Sequence, residues 1–64
     1  MKTNNFNENL DYLPLALTVE QTAHVLQLGK TRIYELTRSG KLRSLRVGRK
    51  IRIPRSALLE FLNA

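Results

Sequence analysis

The sequence predicts a small α+β domain that is mainly helical. A helix-capping pattern followed by apolar residues at helical spacing indicates helices early in the chain. Two alternating apolar and polar runs around a glycine indicate a β-hairpin, and an apolar helical face follows a proline near the end. With 64 residues, the chain has room for one domain with a small core.

Residues 1–16 are predicted to be a flexible tail that precedes a folded domain at 17–64. The first nine residues are rich in Asn and have no clear hydrophobic period. Residues 10–17 are too apolar for a purely solvated linker, and Pro14 prevents one continuous helix. We therefore expect residues 10–15 to lie along the domain or to contact a second copy of the chain.

The first helix is predicted to begin after Thr18, because Thr18 and Gln21 fit a capping box that satisfies two exposed backbone N–H groups. His24 lies off the apolar face and is interpreted as a solvated or phosphate-facing side chain rather than a metal ligand. The residues expected to face the core recur at helical spacing: Val19, Ala23 and Leu26.

A second helix is predicted between Gly29 and Gly40. Gly29 is expected to allow the sharp bend between two packed helices and to serve as a tolerated N-cap. Ile33, Leu36 and Thr37 fall on one side, and polar, cationic and aromatic residues fall on the other. The sequence Gly29-Lys30-Thr31 is not read as a nucleotide-binding loop, since His24 stands where that loop needs another glycine.

The hairpin is predicted at residues 42–53, followed by a third helix. A three-residue loop, Gly48-Arg49-Lys50, would place four apolar residues on one face and Arg46 with Arg52 on the other: Leu45, Val47, Ile51 and Ile53. A two-residue loop would mix the faces, so the longer loop is preferred. Pro54 suits the first turn of the third helix, whose apolar face is expected to close the core: Ala57, Leu58, Phe61 and Leu62.

Positive charge is concentrated in one stretch of the chain. Residues 30–55 hold ten of the eleven Lys and Arg residues and one acid, Glu35, which gives a local net charge of +9 within a total of +6. This segregation predicts one surface that meets a polyanion. Neither a membrane-spanning run nor a signal peptide is found, so a cytoplasmic protein is expected.

Catalysis and metal binding are not predicted. The chain has no Cys and a single His, and no acid pair or Ser-His-acid set provides a nucleophile or general base. No cofactor is expected. Membrane-surface binding would require the cations on a long amphipathic helix, whereas here most lie on a hairpin. RNA binding is a remoter alternative, because few aromatic residues are available for base stacking.

The order helix, tight turn, helix, hairpin, helix is that of a winged helix-turn-helix. Residues 17–62 resemble the excisionase-type DNA-binding domain family, a relative of the MerR group. The motifs that carry the resemblance are Ala23 with Leu26, Ile33-Tyr34 with Leu36, Gly40 with Leu42, and the run VGRKIRIP at 47–54. Where that family usually has a serine cap for its second helix, this chain has Gly29, and a weaker cap is expected.

The resemblance implies that the second helix enters the major groove of double-stranded DNA and that the wing contacts the adjoining minor groove or backbone. The residues expected on the recognition helix are Lys30, Thr31, Arg32, Tyr34, Glu35 and Arg38. Glu35 is expected to accept from a cytosine or to pair with Arg38. The residues expected on the wing and backbone contacts are Lys41, Arg43, Arg46, Arg49, Lys50 and Arg52.

Many members of that family are accessory factors for phage or transposon excision. The expected function is therefore that of an excisionase, a recombination directionality factor that binds clustered sites and bends DNA for an integrase of the tyrosine or serine recombinase type. Cooperative self-association on DNA is expected, in a bacterial or phage setting at the nucleoid. A transcriptional regulator, either a repressor or an activator, would use the same domain and is the alternative.

Overall fold

The computed structural model describes residues 10–64, which form three helices and a three-stranded antiparallel sheet. In chain order the elements are β1 (Ala16–Leu17), α1 (Val19–Leu26), α2 (Lys30–Arg38), β2 (Leu45–Val47), β3 (Lys50–Pro54) and α3 (Arg55–Leu62). The strand order is β1-β3-β2, so β3 is central and β1 and β2 are the edges. The predicted winged helix-turn-helix architecture is confirmed.

The predicted capping box begins α1. The Gln21 N–H donates to the Thr18 hydroxyl at 3.0 Å, and the Thr18 N–H donates to the Gln21 side-chain oxygen at 2.9 Å. Val19 and Ala23 are buried, as the helical spacing predicts. Thr22 is also fully buried, and its hydroxyl donates to the Thr18 carbonyl at 2.9 Å, so this buried polar group is satisfied.

The bend between α1 and α2 is made by Gln27. This residue adopts the left-handed conformation with φ 58°, and its N–H donates to backbone carbonyls of α1. Gly29 has φ −72° and ψ 157°, an extended conformation open to any residue. The expectation that Gly29 supplies the bend is therefore wrong, whereas its position as the N-cap of α2, without a side-chain hydrogen bond, is as predicted.

Gly40 follows the end of α2, as predicted. Its φ of +83° is the left-handed conformation that glycine adopts without steric cost. The chain then turns so that the Leu42 N–H donates to the Leu36 carbonyl at 3.1 Å and the Leu42 side chain is fully buried. This turn fixes the direction in which the chain enters the hairpin.

The register of the hairpin differs from the prediction. The partners are Leu45 with Arg52, Arg46 with Ile51 and Val47 with Lys50, so the loop contains two residues, Gly48 and Arg49. Gly48 has φ +62°, and Gln27 is the one non-glycine residue in 10–64 with positive φ. Positive φ at the first loop residue alone is the pattern of a type II′ turn, whose twist matches that of the strands.

The turn decides this register because neither register would bury much apolar surface of β2. All three residues of β2 are exposed, including Arg46 on the same sheet face as the buried Ile53. Either register would leave this edge strand in solvent, and the tight turn therefore prevails. As a result, Leu45 and Val47 lie on the face opposite Ile51 and are 53% and 66% exposed.

The core lies between the helices and the inner face of β3. Four elements and the turn after α2 each contribute a large, fully buried aliphatic side chain: Leu17 from β1, Ile33 from α2, Leu42 from the turn, Ile53 from β3 and Leu58 from α3. Phe61 and Leu62, which were predicted in the core, are half-buried at its margin. The core is small, as expected for a short chain, which buries a smaller fraction of its surface than a longer one.

Residues 10–15, the described part of the segment before β1, pack on the domain. Leu10 is buried in the core cluster, and the guanidinium of Arg55 donates to the backbone carbonyls of Asp11 at 3.1 Å and Leu13 at 2.6 Å. The predicted domain boundary at residue 17 falls inside β1. The part of the predicted tail at residues 1–9 lies outside the described residues.

No helix within residues 10–64 has the length and apolar character needed to cross a membrane.

Candidate nucleic-acid interface

The α2 helix turns one side into the core and leaves the other in solvent. Ile33 is fully buried, while Tyr34 is 42% exposed. All six residues predicted on the recognition helix are exposed: Lys30, Thr31, Arg32, Tyr34, Glu35 and Arg38. The structure therefore brings the predicted recognition residues together on one accessible helix.

Three of the predicted recognition residues are held in ion pairs. The Arg32 guanidinium lies 3.2 Å from the Glu35 carboxylate, and Lys30 Nζ lies 3.4 Å from the Glu20 carboxylate of α1. Glu35 thus pairs with Arg32 and not with Arg38. Both pairs are more than half exposed, and exposed pairs of this kind contribute about 0–1 kcal/mol. A nucleic-acid phosphate or base edge can replace such a partner at little cost.

A groove of about 340 Å³ separates α2 from the hairpin. This helix–wing groove is lined by Tyr34, Thr37, Arg38, Ser44, Arg46, Arg49 and Ile51. Three of these residues are arginines and none is an acid, and within residues 10–64 no ion pair neutralises the three guanidinium groups. Like charges gathered around a concave surface raise the local concentration of anions.

A second groove of about 320 Å³ lies between the start of α1, α2 and the hairpin. It is lined by Thr18, Val19, Glu20, Lys30, Tyr34, Arg49, Lys50, Ile51 and Arg52. Four cations surround it against one acid, Glu20. Tyr34, Arg49 and Ile51 line both grooves, so the cationic surface is continuous from α2 across the wing.

Other predicted contact residues lie outside the two grooves or make hydrogen bonds within the domain. Arg43 points toward α3, where it lies 3.2 Å from the Glu60 carboxylate and donates to the Ser56 hydroxyl at 3.4 Å. The guanidinium of Arg52 donates to the Ile51 carbonyl at 3.0 Å. Lys41 and Thr31 are exposed but line neither groove. The predicted set therefore divides into groove residues and peripheral ones.

The structure adds Thr37 and Ser44 to the lining of the helix–wing groove. The periodicity of α2 placed Thr37 on the inner side, but it is half-buried and its hydroxyl donates to the Tyr34 carbonyl at 3.0 Å. Ser44 shares the parity of Arg46 along the strand direction, a signal that could have placed it on this side. Both hydroxyls enlarge the set of donors near the arginines.

Among residues 10–64, no group of three or more His, Cys, Asp or Glu side chains lies close enough together to hold a metal ion.

Comparison with protein families fits this geometry. The sequence profile of a family described as a helix-turn-helix domain matches residues 16–64, which include every helix and strand described above. The chain belongs to the helix-turn-helix domain family. The excisionase-type resemblance seen in the sequence is confirmed at the level of the domain.

One curated relative is a probable excisionase from Saccharopolyspora erythraea. It is 49% identical to this helix-turn-helix chain over 45 residues, which cover 70% of the chain and 46% of the relative. The chain thus spans less than half the length of the relative it matches. No solved structure matches the chain.

Proposed function

We propose that this protein binds double-stranded DNA and acts as an excisionase, an accessory factor that shapes DNA for a site-specific recombinase. The observation that carries the proposal is the helix–wing groove. Its three arginines lie beside the exposed face of α2 and have no acidic neighbour in the groove lining. When a helix enters the major groove, the phosphate backbone runs beside it. A cationic groove next to the exposed helix would bind that backbone.

The α2 helix supplies the element that enters the major groove. An α-helix with its side chains is roughly 10–12 Å in diameter, which fits the major groove of B-DNA, about 12 Å wide. In helix-turn-helix proteins the N-terminal part of the second helix contacts base edges. Thr31 and Arg32 occupy that part, and the weak, exposed pair with Glu35 lets the Arg32 guanidinium exchange its partner for a base edge.

The wing supplies backbone contacts. Arg46 and Arg49 lie across the helix–wing groove from Arg38, so a phosphate strand between them would meet guanidinium groups from both sides. Lys50 and Arg52 extend the cationic surface beyond this strand through the second groove. Lys41 and Arg43 contribute less in this arrangement, because they lie outside both grooves and Arg43 is paired with Glu60.

The excisionase role rests on the curated relative together with the size of the domain. One small DNA-binding module buries about 600–1,000 Å² of protein surface and reads few base pairs. Selectivity then requires several copies on clustered sites, and their combined phosphate neutralisation favours curved DNA. The bent complex would let a separate integrase assemble at the nucleoid of a bacterial host, and this protein would contribute no catalytic group.

A circular-permutation gel-shift experiment tests the proposal. The attachment region recognised by the recombinase encoded nearest in the same genome is placed at varied positions within fragments of equal length. We expect the mobility of the complex to depend on site position, because a bend near the centre of a fragment retards it most. Position-independent mobility combined with independent single-site binding would refute the excisionase role and favour simple promoter repression by the same domain.

A further inference from the structure

Tyr34 is an aromatic residue on the side of α2 that faces the wing. In the described lining of the helix–wing groove, Tyr34 is the apolar residue from α2 and Ile51 is the apolar residue from the hairpin. Both residues also line the second groove, so they lie between the two grooves. Tyr34 is 42% exposed and Ile51 is half-buried, so each side chain has more than half of its surface covered.

Ile51 continues the inner face of β3 beyond the core. It is two residues from the fully buried Ile53, and side chains two residues apart in a strand lie on the same face. Ile51 also packs against the core cluster. Its cross-strand partner is Arg46, whose side chain lies next to it on that face. The position of Ile51 therefore sets where the Arg46 side chain enters the helix–wing groove.

The backbones of α2 and the hairpin come close to each other at few positions. The α2 helix packs mainly on α1, and α1 in turn packs on β3. The distance between α2 and the wing therefore depends on the side chains that lie between them. Tyr34 supplies an aromatic ring at this place. A tyrosine ring provides a large and rigid contact area because its side chain has only two rotatable bonds before the hydroxyl.

Tyr34 also lies between two cations along α2. Lys30 is four residues before it and Arg38 is four residues after it, so all three lie on one face of the helix. Lys30 lines the second groove, and Arg38 lines the helix–wing groove. The ring thus occupies the point on α2 where the two cationic grooves meet.

We infer that Tyr34 is a positioning residue, whose ring rests against Ile51 and fixes the distance between α2 and the wing. At this distance Arg38 and Arg46 can contact one phosphate strand from both sides while α2 lies in the major groove. The inference rests on the proposed binding of DNA, and it gives the ring a role that requires no contact with DNA. A wing that is already in place does not have to be ordered when the complex forms.

NMR spectroscopy of the free protein tests the contact without DNA. We expect nuclear Overhauser effects between the Tyr34 ring protons and the Ile51 methyl groups. Tyr34→Ala should raise the nanosecond mobility of the amides of residues 46–50, because the wing loses the side chain on which it rests. Thr31→Ala is the matched control and should leave these amides unchanged, since Thr31 is exposed on α2 and lines neither groove.

A second substitution keeps the test independent of folding. Tyr34→Leu retains an apolar side chain but is shorter than the ring, so it should raise the same mobility by a smaller amount. Circular dichroism melting shows that each variant folds. The comparison is then made among folded variants that differ in the length of one side chain.

DNA binding distinguishes positioning from direct contact. Tyr34→Phe keeps the ring and removes the hydroxyl, and it is expected to bind the attachment region within about twofold of the unaltered chain. Tyr34→Ala is expected to bind about tenfold more weakly, because the wing must then be ordered on binding. Fluorescence anisotropy measures both affinities. An equal loss in the two variants would assign the hydroxyl to DNA and overturn the inference.

A double-mutant cycle shows whether Tyr34 acts through the wing. Arg46→Gln should weaken binding less in the Tyr34→Ala protein than in the unaltered chain. The double variant should therefore bind about threefold or more tightly than the product of the two single losses predicts. Thr31→Ala combined with Arg46→Gln should show the full product of its single losses.

Three results would overturn the inference: independent losses for Tyr34 and Arg46, the same coupling in the Thr31→Ala control, or no nuclear Overhauser effect between Tyr34 and Ile51. Failure of the unaltered chain to bind the attachment region would refute the proposed function instead. The NMR measurements on the free protein would still decide whether Tyr34 holds the wing.

Discussion

Gly29 begins α2 with a backbone conformation that non-glycine residues adopt readily. Its φ of −72° requires no glycine, and a Cβ added there would meet no atom within 4 Å. The strained position of this turn is Gln27, at φ 58°. Left-handed backbone costs a residue with a side chain roughly 1–2 kcal/mol. The helix-turn-helix thus carries backbone strain at Gln27, the first residue of the turn, and lacks a side-chain cap at Gly29, where α2 begins.

Gly29→Ser is expected to stabilise the protein. The serine hydroxyl can accept from an exposed N–H of the first turn of α2, and the unfolded chain loses backbone freedom, for a combined gain of about 0.5–1 kcal/mol. Urea denaturation measures the change in unfolding free energy. Gly29→Ala, which restricts the backbone without supplying a cap, is the control and should be about 1 kcal/mol less stable than the serine variant. Equal stabilities of the two variants would show that no cap forms.

The arginines of the hairpin region differ in their surroundings more than their spacing indicates. Arg46 lies in the helix–wing groove without an ion-pair partner among residues 10–64, while Arg43 is paired with Glu60 of α3. Both are exposed cations on the same short stretch of chain. A guanidinium that already has a carboxylate partner contributes less field to an approaching phosphate.

At the scale of elements, one strand of the wing is anchored in the core and the other is exposed. β3 pairs with β1 through Leu17 and Ile53, which are both fully buried, whereas all three residues of β2 are exposed. The tight turn at Gly48 then fixes which side chains face α2. This arrangement holds the cationic side of the hairpin beside α2, while the tip of the hairpin remains exposed.

Replacing Arg46 with Gln should weaken DNA binding and flatten its salt dependence. Loss of one phosphate contact is expected to reduce the slope of log K against log salt by about 0.9 on specific and random DNA alike. Fluorescence anisotropy over a range of salt concentrations gives the slope. Arg43→Gln removes the same charge outside the groove and should change the slope by clearly less. A larger effect of Arg43→Gln would place the phosphate strand near α3 instead of in the helix–wing groove.

At the scale of the whole molecule, the fold joins chain segments that are far apart in sequence. Arg55 belongs to the basic stretch, yet it ties residues 11–13 to the start of α3 through two carbonyls, and its backbone N–H donates to the Leu15 carbonyl at 2.7 Å. Leu10 adds a buried side chain to the core, with 6% of its surface exposed. The segment before β1 is therefore part of the packed structure from Leu10 onward.

Leu10→Ala is expected to destabilise the protein by roughly 2–4 kcal/mol, because it removes a buried aliphatic side chain and leaves a cavity. For a domain of this size such a loss is a large share of the total stability. Urea denaturation again provides the measurement. Leu15→Ala, at a position 76% exposed, is the control and should change stability by less than about 0.5 kcal/mol. If both variants behave alike, Leu10 does not hold the segment to the domain.

Features that depend on neighbours in the sequence were determined by the sequence itself. The capping box at Thr18, the glycine at the end of α2, the helical faces of α1 and α2 and the concentration of cations in residues 30–55 all follow from spacings of three or four residues or from composition. Together with the alternation of residues 42–53, these features predicted the winged helix-turn-helix architecture and placed the six predicted recognition residues on one exposed helix.

The tertiary structure alone decided features that depend on which segments meet. The alternation of residues 42–53 allows two registers, and the turn at Gly48 selects the one that exposes Leu45 and Val47 because β2 lies beyond the core in either case. Composition treats Arg43, Arg46 and Arg55 as equivalent cations. In the structure, Arg43 meets a carboxylate on α3, Arg46 lines an open groove and Arg55 binds two backbone carbonyls. These surroundings exist only once distant segments are packed together.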